Sequence, residues 1–197
     1  AIDWAVAVAT GGFAMGSVPV EQGDVLYIDM ENGERRIQGR IKRLVPEGDS
    51  PPDLSRLDWC TDVLMLNEGF IDALEDWRTS VPAPRLVVID VLQRIKPVGA
   101  KARNSYENDY AIFSELQSWA TQNGIAVLAL HHTRKGGADD PLEALTGSNG
   151  LSAVADTTLV LDRDGNGMTL YVRGRDVEEK ATAIPFTAGL WSVQGEA

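Results

Sequence analysis

The chain has 197 residues, of which 44% are hydrophobic and 24% are charged, and its formal net charge is −11. This length suits one domain with a sizeable core, and the composition excludes a disordered chain. No apolar run approaches the ~18 residues that span a bilayer, which excludes a membrane protein. The single cysteine, Cys60, excludes an internal disulfide and favours a reducing compartment, so we predict a cytoplasmic protein. The negative charge argues against a protein that coats nucleic acid, although it leaves room for a local basic loop.

The N-terminal half predicts helices and strands in alternation. AIDWAVAVATGG has apolar residues at helical spacing, lacks a capping residue in front, and ends in a glycine pair, which predicts a helix that stops at Gly11. DVLYID, from Asp24 to Asp29, predicts a strand, and a charged helix follows from about Glu34 to Leu44. A polar, proline-rich loop then leads to a short strand, DVLML, from Asp62 to Leu66, and to a helix that begins near Ile71.

The C-terminal half predicts two more buried strands, RLVVID (Arg85 to Asp90) and IAVLAL (Ile125 to Leu130), separated by a helix from about Tyr106 to Gln122. A long polar loop, TRKGGADDPLEALTGSNG, follows. The last third contains three strand-like runs joined by turns, TTLVLDR, MTLYVRGRD and ATAIPFT, which predict an antiparallel extension at the sheet edge. Strands that alternate with helices indicate a parallel α/β sheet, and we expect a single domain over residues 1–197.

Polar residues follow three of these strands at the carboxyl ends where open parallel sheets bind ligands: Glu31, Asp90, and the pair His131 and His132. Each residue alone also has a structural interpretation. Asp90 fits a helix cap as well as a residue that orients a Mg²⁺-bound water, and Glu31 fits the favoured acidic start of a helix. The two histidines fit core residues or metal ligands, but adjacent residues of an extended chain point to opposite faces, so at most one faces a site.

Together these stretches resemble a known family. LVVIDVLQRIKP resembles the Walker B region of RecA-like ATPases of the replicative-helicase branch, in which an apolar strand ends in Asp and a Leu-Gln pair follows. VLALHHTRKGG resembles the next strand, which ends in a γ-phosphate sensor, here His132. YIDMENGERR resembles the strand whose trailing Glu activates the attacking water, here Glu31. The resemblance runs nearly end to end and is closest to the RepA-type hexameric helicases of plasmids and mobile elements.

The resemblance implies a RecA-like, mostly parallel twisted sheet with flanking helices, and the cofactors ATP and Mg²⁺. Asp90 would hold the metal, and Glu31, Asp90 and His132 would form the nucleotide site. YVRGRD resembles the strand that offers Arg173 and Arg175 to the nucleotide of a neighbouring subunit, although a solvated face of an edge strand fits this pair as well.

The resemblance also implies partners, namely a homo-oligomer in the form of a hexameric ring, and single-stranded DNA, with no membrane. TGSNGLSAVADTTLVLDR resembles the segment that closes the DNA-facing loop. Arg134 and Lys135 lie in the loop that lines the ring's pore in that family. A second basic loop, with Lys101 and Arg103, is a candidate DNA or subunit contact or a solvated loop.

The phosphate-binding motif G-x-x-x-x-G-K-[ST] does not occur in the 197 residues, since no Lys is followed by Ser or Thr. We therefore expect the chain to start just after the phosphate loop, to lack the first core strand, and to bind and hydrolyse ATP poorly. A missing central strand exposes two strand edges, so we also expect dimerisation or strand exchange. Two alternatives stay open: a non-catalytic assembly or regulatory module that keeps the fold and ring contacts, and a metal-dependent hydrolase that uses Asp90, His131 and His132.

Overall fold

A computed structural model of the chain describes residues 1–44, 50–97, 105–132, 149–165 and 167–194. The chain divides into two compact units. The first contains Ala1–Pro97, Trp119–His131 and Thr187–Trp191, and the second contains Val98–Ser118, His132–Phe186 and Ser192–Ala197. None of the helices in the described ranges combines the length and the apolar character that crossing a membrane requires.

The first unit is built on a four-stranded parallel sheet with strand order β4-β3-β5-β6. The register places Asp29 opposite Asp90 at the carboxyl ends of the two central strands. The strands of the first unit are β1 (Phe13–Ala14), β2 (Val18–Pro19), β3 (Asp24–Asp29), β4 (Leu57–Cys60), β5 (Pro84–Asp90) and β6 (Ala126–Ala129). The helices along the same part of the chain are α1 (Ile2–Thr10), α2 (Glu34–Leu44), α3 (Phe70–Ser80) and α4 (Ser105–Asn123), with 3₁₀ turns at Leu66–Glu68 and Leu92–Ile95.

Helix α1 covers one face of this sheet because its small and apolar residues repeat at helical spacing. Ile2, Ala5 and Ala9 are buried against a cluster on the central strands that comprises Val25, Tyr27, Leu86 and Val88. The helix ends at Gly11, which adopts a left-handed conformation with φ 73° and donates its N–H to the Ala7 carbonyl. The predicted helix and its glycine stop are therefore confirmed.

The strand that follows β3 in the chain lies earlier than the sequence predicted. The strand expected at Asp62–Leu66 is wrong: β4 runs over Leu57–Cys60, directly after the polar loop, and the DVLML segment leads into a 3₁₀ turn. Trp59 of β4 stacks on Tyr27 of β3, with ring centroids 4.2 Å apart and the planes 9° from parallel. A cross-strand aromatic pair thus stabilises β4, where a run of apolar residues does not.

Strand β6 is more exposed than predicted. Its sequence predicted a strand buried on both faces, but Ala126 and Ala129 are exposed and the two residues between them are half-buried. The cause is its position, since β6 pairs only with β5 in the described part of the chain and lies at the edge of the sheet.

The second unit contains an antiparallel sheet with strand order β7-β8-β9. Strands β7 and β8 pair along their whole length around the turn between Asp164 and Gly167. The predicted antiparallel strands are confirmed, and in the described ranges they form a sheet of their own. The remaining elements are α5 (Asn149–Val154), β7 (Thr157–Asp164), β8 (Gly167–Gly174), β9 (Lys180–Ala183), β10 (Phe186–Thr187) and β11 (Leu190–Trp191).

Candidate functional site

Asp90 is the last residue of β5, and it is a buried carboxyl group with a single protein donor among the described residues. Its Oδ2 accepts a hydrogen bond of 2.9 Å from the Tyr27 hydroxyl. Asp90 is 9% exposed, and burial is the largest cause that raises its pKa. The negative charges of Asp29 and Glu31 raise the pKa further, while the bond from Tyr27 lowers it. No described residue donates a hydrogen bond to the other oxygen, Oδ1.

Tyr27 is held as a hydrogen-bond donor by its surroundings. The side chain is 1% exposed, and its ring is fixed by the stack on Trp59. Burial raises the pKa of the Tyr27 hydroxyl, and the negative charge of Asp90 and the hydrogen bond to it raise that pKa further. The hydroxyl therefore keeps its proton at neutral pH and donates a hydrogen bond to Asp90.

A fully buried acid, Asp29, forms the turn that carries Glu31. Its Oδ1 accepts the backbone N–H groups of Glu31 at 3.0 Å and of Asn32 at 2.7 Å. The side-chain amide of Asn32 reaches both carboxylate oxygens, at 3.1 and 3.0 Å. The Met30 N–H donates to the Asp90 carbonyl at 2.9 Å and joins this turn to the end of β5. Glu31 itself is exposed on the rim of the sheet.

The structure brings two of the predicted site residues together. Glu31 and Asp90 lie at the ends of neighbouring strands, close enough for the charge of Glu31 to raise the pKa of Asp90. His131 and His132 follow β6, which they were predicted to end. His131 is half-buried and His132 is exposed.

The two candidate arginines belong to the second unit. Arg173 lies on β8 and forms an ion pair with Glu179 at 2.5 Å. Arg175 follows that strand, donates to the Ala153 carbonyl at 3.0 Å and lies 3.6 Å from a carboxylate oxygen of Asp156. Both guanidinium groups therefore have partners within their own unit. The predicted nucleic-acid contacts, Lys101, Arg103, Arg134 and Lys135, lie outside the described residues.

Sequence reasoning missed three residues of this site: Tyr27, Asp29 and Asn32. Tyr27 and Asp29 are two positions apart on β3, so their side chains lie on the same face of the sheet. Asp29 pairs with Asp90 in the parallel register, which places Asp90 on that face as well. An Asp at the end of a strand and before polar residues is also a known signal for an Asx-turn. In such a turn the Asp carboxylate accepts hydrogen bonds from backbone N–H groups two or three residues later. These signals could have identified Asp29 and Asn32, whereas the partner of Tyr27 lies 63 residues away in the sequence.

The described residues fit a magnesium ion bound by one carboxylate better than a metal bound by three or more protein side chains. Among the described residues, no group of three or more His, Cys, Asp and Glu side chains is placed to hold a metal, which gives the metal-hydrolase alternative no support. Mg²⁺ is commonly bound through one or two carboxylates, with water and substrate phosphates as its other ligands. Oδ1 of Asp90 is a carboxylate oxygen to which no described residue donates, beside the negative charges of Asp29 and Glu31, and it suits such an ion.

Known structures share this fold. One solved structure, described as an ATPase domain, superposes with a TM-score of 0.69 at 18% identity, covering 86% of this chain and 74% of that one. A DnaB-like replicative helicase, described with its interactions with primase, gives a TM-score of 0.68 at 17% identity, and the match covers 86% of this chain and 50% of that one. The predicted RecA-like fold is confirmed by these likenesses.

No curated protein matches the sequence. A family model described as an AAA domain matches residues 1–138, which is more than half of the chain. The chain therefore belongs to the AAA domain family.

Proposed function

We propose that residues 1–197 supply the metal-holding and water-orienting residues of a RecA-like ATPase that couples ATP hydrolysis to work on DNA. The observation that carries this proposal is the pairing of Asp90 with the turn that presents Glu31, at the carboxyl ends of adjacent parallel strands. Ligands bind at this edge of open α/β sheets.

The two carboxylates have different surroundings, and these suit different roles. Asp90 is buried and accepts a hydrogen bond from Tyr27, and it would hold Mg²⁺. When bound there, Mg²⁺ would supply positive charge that neutralises the charge developing on the transferred phosphoryl group. Glu31 is exposed at the rim on a turn fixed by Asp29, so its carboxylate accepts a proton from the attacking water and orients that water.

The other predicted residues complete the proposal. His132 acts as the γ-phosphate sensor, and Arg173 or Arg175 acts on the nucleotide of a neighbouring copy in a hexameric ring. The ion pair of Arg173 with Glu179 is a surface pair, and such pairs contribute only ~0–1 kcal/mol, so its exchange for a phosphate costs little. Loss of an arginine of this kind costs ~10³-fold or more in rate in related NTPases. Arg134, Lys135, Lys101 and Arg103 contact single-stranded DNA.

Residues 1–197 contain no phosphate-binding motif, so we propose that this polypeptide alone hydrolyses ATP very slowly. The test measures Mg²⁺-dependent phosphate release, with and without single-stranded DNA, for residues 1–197 and for an extended chain in which a β-strand and a G-x-x-x-x-G-K-[ST] loop are fused in front of Ala1. We expect DNA-stimulated turnover only in the extended chain. Robust turnover by residues 1–197 contradicts the slow hydrolysis, and no turnover by either chain favours the assembly-module alternative.

Variants of the extended chain test the proposed roles of Glu31 and Asp90. Glu31→Gln is expected to lower turnover by about 10²-fold or more, because the amide no longer accepts the proton of the water. Asp90→Asn is expected to abolish Mg²⁺-dependent turnover. Glu178→Gln is the matched control, since Glu178 is an exposed glutamate in the second unit with no assigned role. Equal losses in the Glu31 and Glu178 variants would refute the assignment.

A further inference from the structure

Tyr27 places a polar group inside an otherwise apolar cluster. The buried members of the cluster that α1 covers are Ile2, Ala5, Ala9, Val25, Tyr27, Leu86 and Val88. The Tyr27 hydroxyl is the only polar side-chain group among these seven residues. Phenylalanine would fill nearly the same space and would leave no hydroxyl to satisfy, and a buried hydroxyl costs free energy unless it has a partner. Packing alone therefore does not account for a tyrosine at this position.

The partner of this hydroxyl is the carboxyl group of Asp90, to which it donates a hydrogen bond of 2.9 Å. Tyr27 pairs with Val88 in the parallel register, so Asp90 lies two residues further along β5 on the same face of the sheet. Among the described residues, Tyr27 is the one donor to the Asp90 carboxyl. The orientation of that carboxyl therefore depends on the position of the Tyr27 hydroxyl.

The Tyr27 ring is in turn held by Trp59, its paired residue on β4. The two ring planes are 9° from parallel and their centroids are 4.2 Å apart. The Trp59 Nε1 atom is buried, and no described atom accepts a hydrogen bond from it. The indole nitrogen of Trp77, by contrast, donates to a carboxylate oxygen of Asp58 at 2.9 Å. The stack on Tyr27, rather than a hydrogen bond of its own, therefore fixes the Trp59 indole.

We propose that Tyr27 is a positioning residue of the metal site and that Trp59 positions Tyr27. The Tyr27 hydroxyl holds the Asp90 carboxylate in the orientation that binds Mg²⁺, and the stack on Trp59 holds the hydroxyl in place. Hydrogen-bond partners of metal-binding carboxylates orient these ligands, and their loss commonly costs about 10–100-fold in metal affinity or activity. The inference rests on the proposed function in one respect, namely that Asp90 holds the metal.

The metal affinity of folded protein separates this role from a merely structural one. A structural bond contributes to the free energy of unfolding, but its loss leaves the affinity of the folded chain for metal unchanged. Mn²⁺ is the probe, because it takes the same oxygen ligands as Mg²⁺, and electron paramagnetic resonance measures its free concentration during a titration of residues 1–197. The part of the binding that Asp90→Asn removes belongs to the site. Binding that is unchanged in Asp90→Asn overturns the metal at Asp90 and the proposal with it.

Tyr27→Phe is the first variant, because it keeps the ring and its stack and removes only the donor. We expect the dissociation constant of the Asp90-dependent site for Mn²⁺ to rise about tenfold or more. Tyr171→Phe is the matched control, since Tyr171 is a half-buried tyrosine on β8 with no assigned role, and it is expected to stay within about twofold. Circular dichroism and thermal melting establish that each variant is folded. A folded Tyr27→Phe that binds Mn²⁺ as tightly as the unmodified chain overturns the proposal.

A pair of variants at Trp59 tests the same orientation through its support, also where Tyr27→Phe does not fold. Trp59→Phe keeps an aromatic ring against Tyr27, whereas Trp59→Leu removes it. An aromatic pair contributes enough for us to expect Mn²⁺ affinity about three- to tenfold lower in Trp59→Leu and within about twofold in Trp59→Phe. Equal affinities in the two folded variants overturn the positioning role of Trp59.

The extended chain separates the positioning role from the proposed function. Tyr27→Phe is expected to raise the Mg²⁺ concentration for half-maximal turnover about tenfold, while turnover at saturating Mg²⁺ changes less. Glu31→Gln is expected to lower turnover at every Mg²⁺ concentration and to leave the half-maximal concentration unchanged. An extended chain without turnover, together with weaker Mn²⁺ binding in Tyr27→Phe, removes the ATPase role and retains the positioning role. Turnover with the same Mg²⁺ dependence in Tyr27→Phe and the unmodified chain retains the ATPase role and overturns the positioning role.

Discussion

Replacing Asn32 by Ala isolates the contact that holds the Glu31 turn. The Asn32 amide is the one described donor to Oδ2 of Asp29, at 3.0 Å, and it also reaches Oδ1. Asp29 is fully buried, so Asn32→Ala leaves a buried carboxylate oxygen without a described donor. A hydrogen bond to a charged group contributes about 1.5–3 kcal/mol. For a chain of this size that loss corresponds to a melting temperature lower by about 3–12 °C.

Urea denaturation of residues 1–197, followed by circular dichroism and tryptophan fluorescence, measures the change. We expect a lower midpoint at an unchanged m-value. Asn67→Ala is the matched control: Asn67 is exposed in a 3₁₀ turn, and its truncation is expected to change the free energy of unfolding by less than about 0.5 kcal/mol. Asn32→Asp should destabilise more than Asn32→Ala at neutral pH, because it sets a second carboxylate against Asp29. If Asn32→Ala and Asn67→Ala unfold at the same midpoint, the turn does not depend on this contact.

Three further predictions concern other buried or paired groups. Tyr27→Phe removes the donor to Asp90 and should lower the free energy of unfolding by about 1.5–3 kcal/mol, measured by the same denaturation; a change below about 0.5 kcal/mol would refute the role of that bond. Asp90→Asn should raise the free energy of unfolding at pH 7. The pKa of Asp90 is raised in the folded chain, so ionisation of this carboxyl as the pH rises destabilises the folded state, and the amide does not ionise. A melting temperature of the variant below that of the unmodified chain would contradict this. Hydrogen bonds from Arg78 and then Trp119 lower the pKa of Glu75 to about 2, so its contribution is present above pH ~4.5 and is lost as pH decreases towards 2; NMR titration of that carboxyl with a midpoint near 4.5 would refute it.

Features that depend on local sequence could be predicted. The glycine stop of α1 and the apolar runs of β3 and β5 act within a few residues, and parallel strands aligned in this way necessarily bring Glu31 and Asp90 to one edge. Such features are set by backbone conformation and by the period of burial. They account for most of the first unit and for the two acids of the candidate site.

Features that depend on pairing across the chain could not be predicted. Strand β4 has no apolar run, and its place in the sheet rests on the stack of Trp59 on Tyr27, which is 32 positions earlier in the chain. Strand β6 has the sequence of a buried strand, but its exposure follows from its position at the sheet edge, which only the strand order reveals. The hydrogen bond from Tyr27 to Asp90 is likewise a long-range contact, invisible in either segment alone.

Three buried acids on the central strands, Asp24, Asp29 and Asp90, differ in the partners that the fold gives to their carboxyl groups. Asp24 accepts the Ala83 N–H at 2.7 Å and lies 3.6 Å from Arg56. Asp29 has donors on both oxygens. Asp90 has one described donor, on one oxygen, and its raised pKa shows that its charged form is disfavoured where it stands. A fold that gives protein partners to both oxygens of two carboxylates, and to one oxygen of the third, retains a group whose charged form is disfavoured. Such groups concentrate at functional sites. This contrast, rather than the position of Asp90 after an apolar strand, is the physical reason for proposing that Asp90 holds the metal.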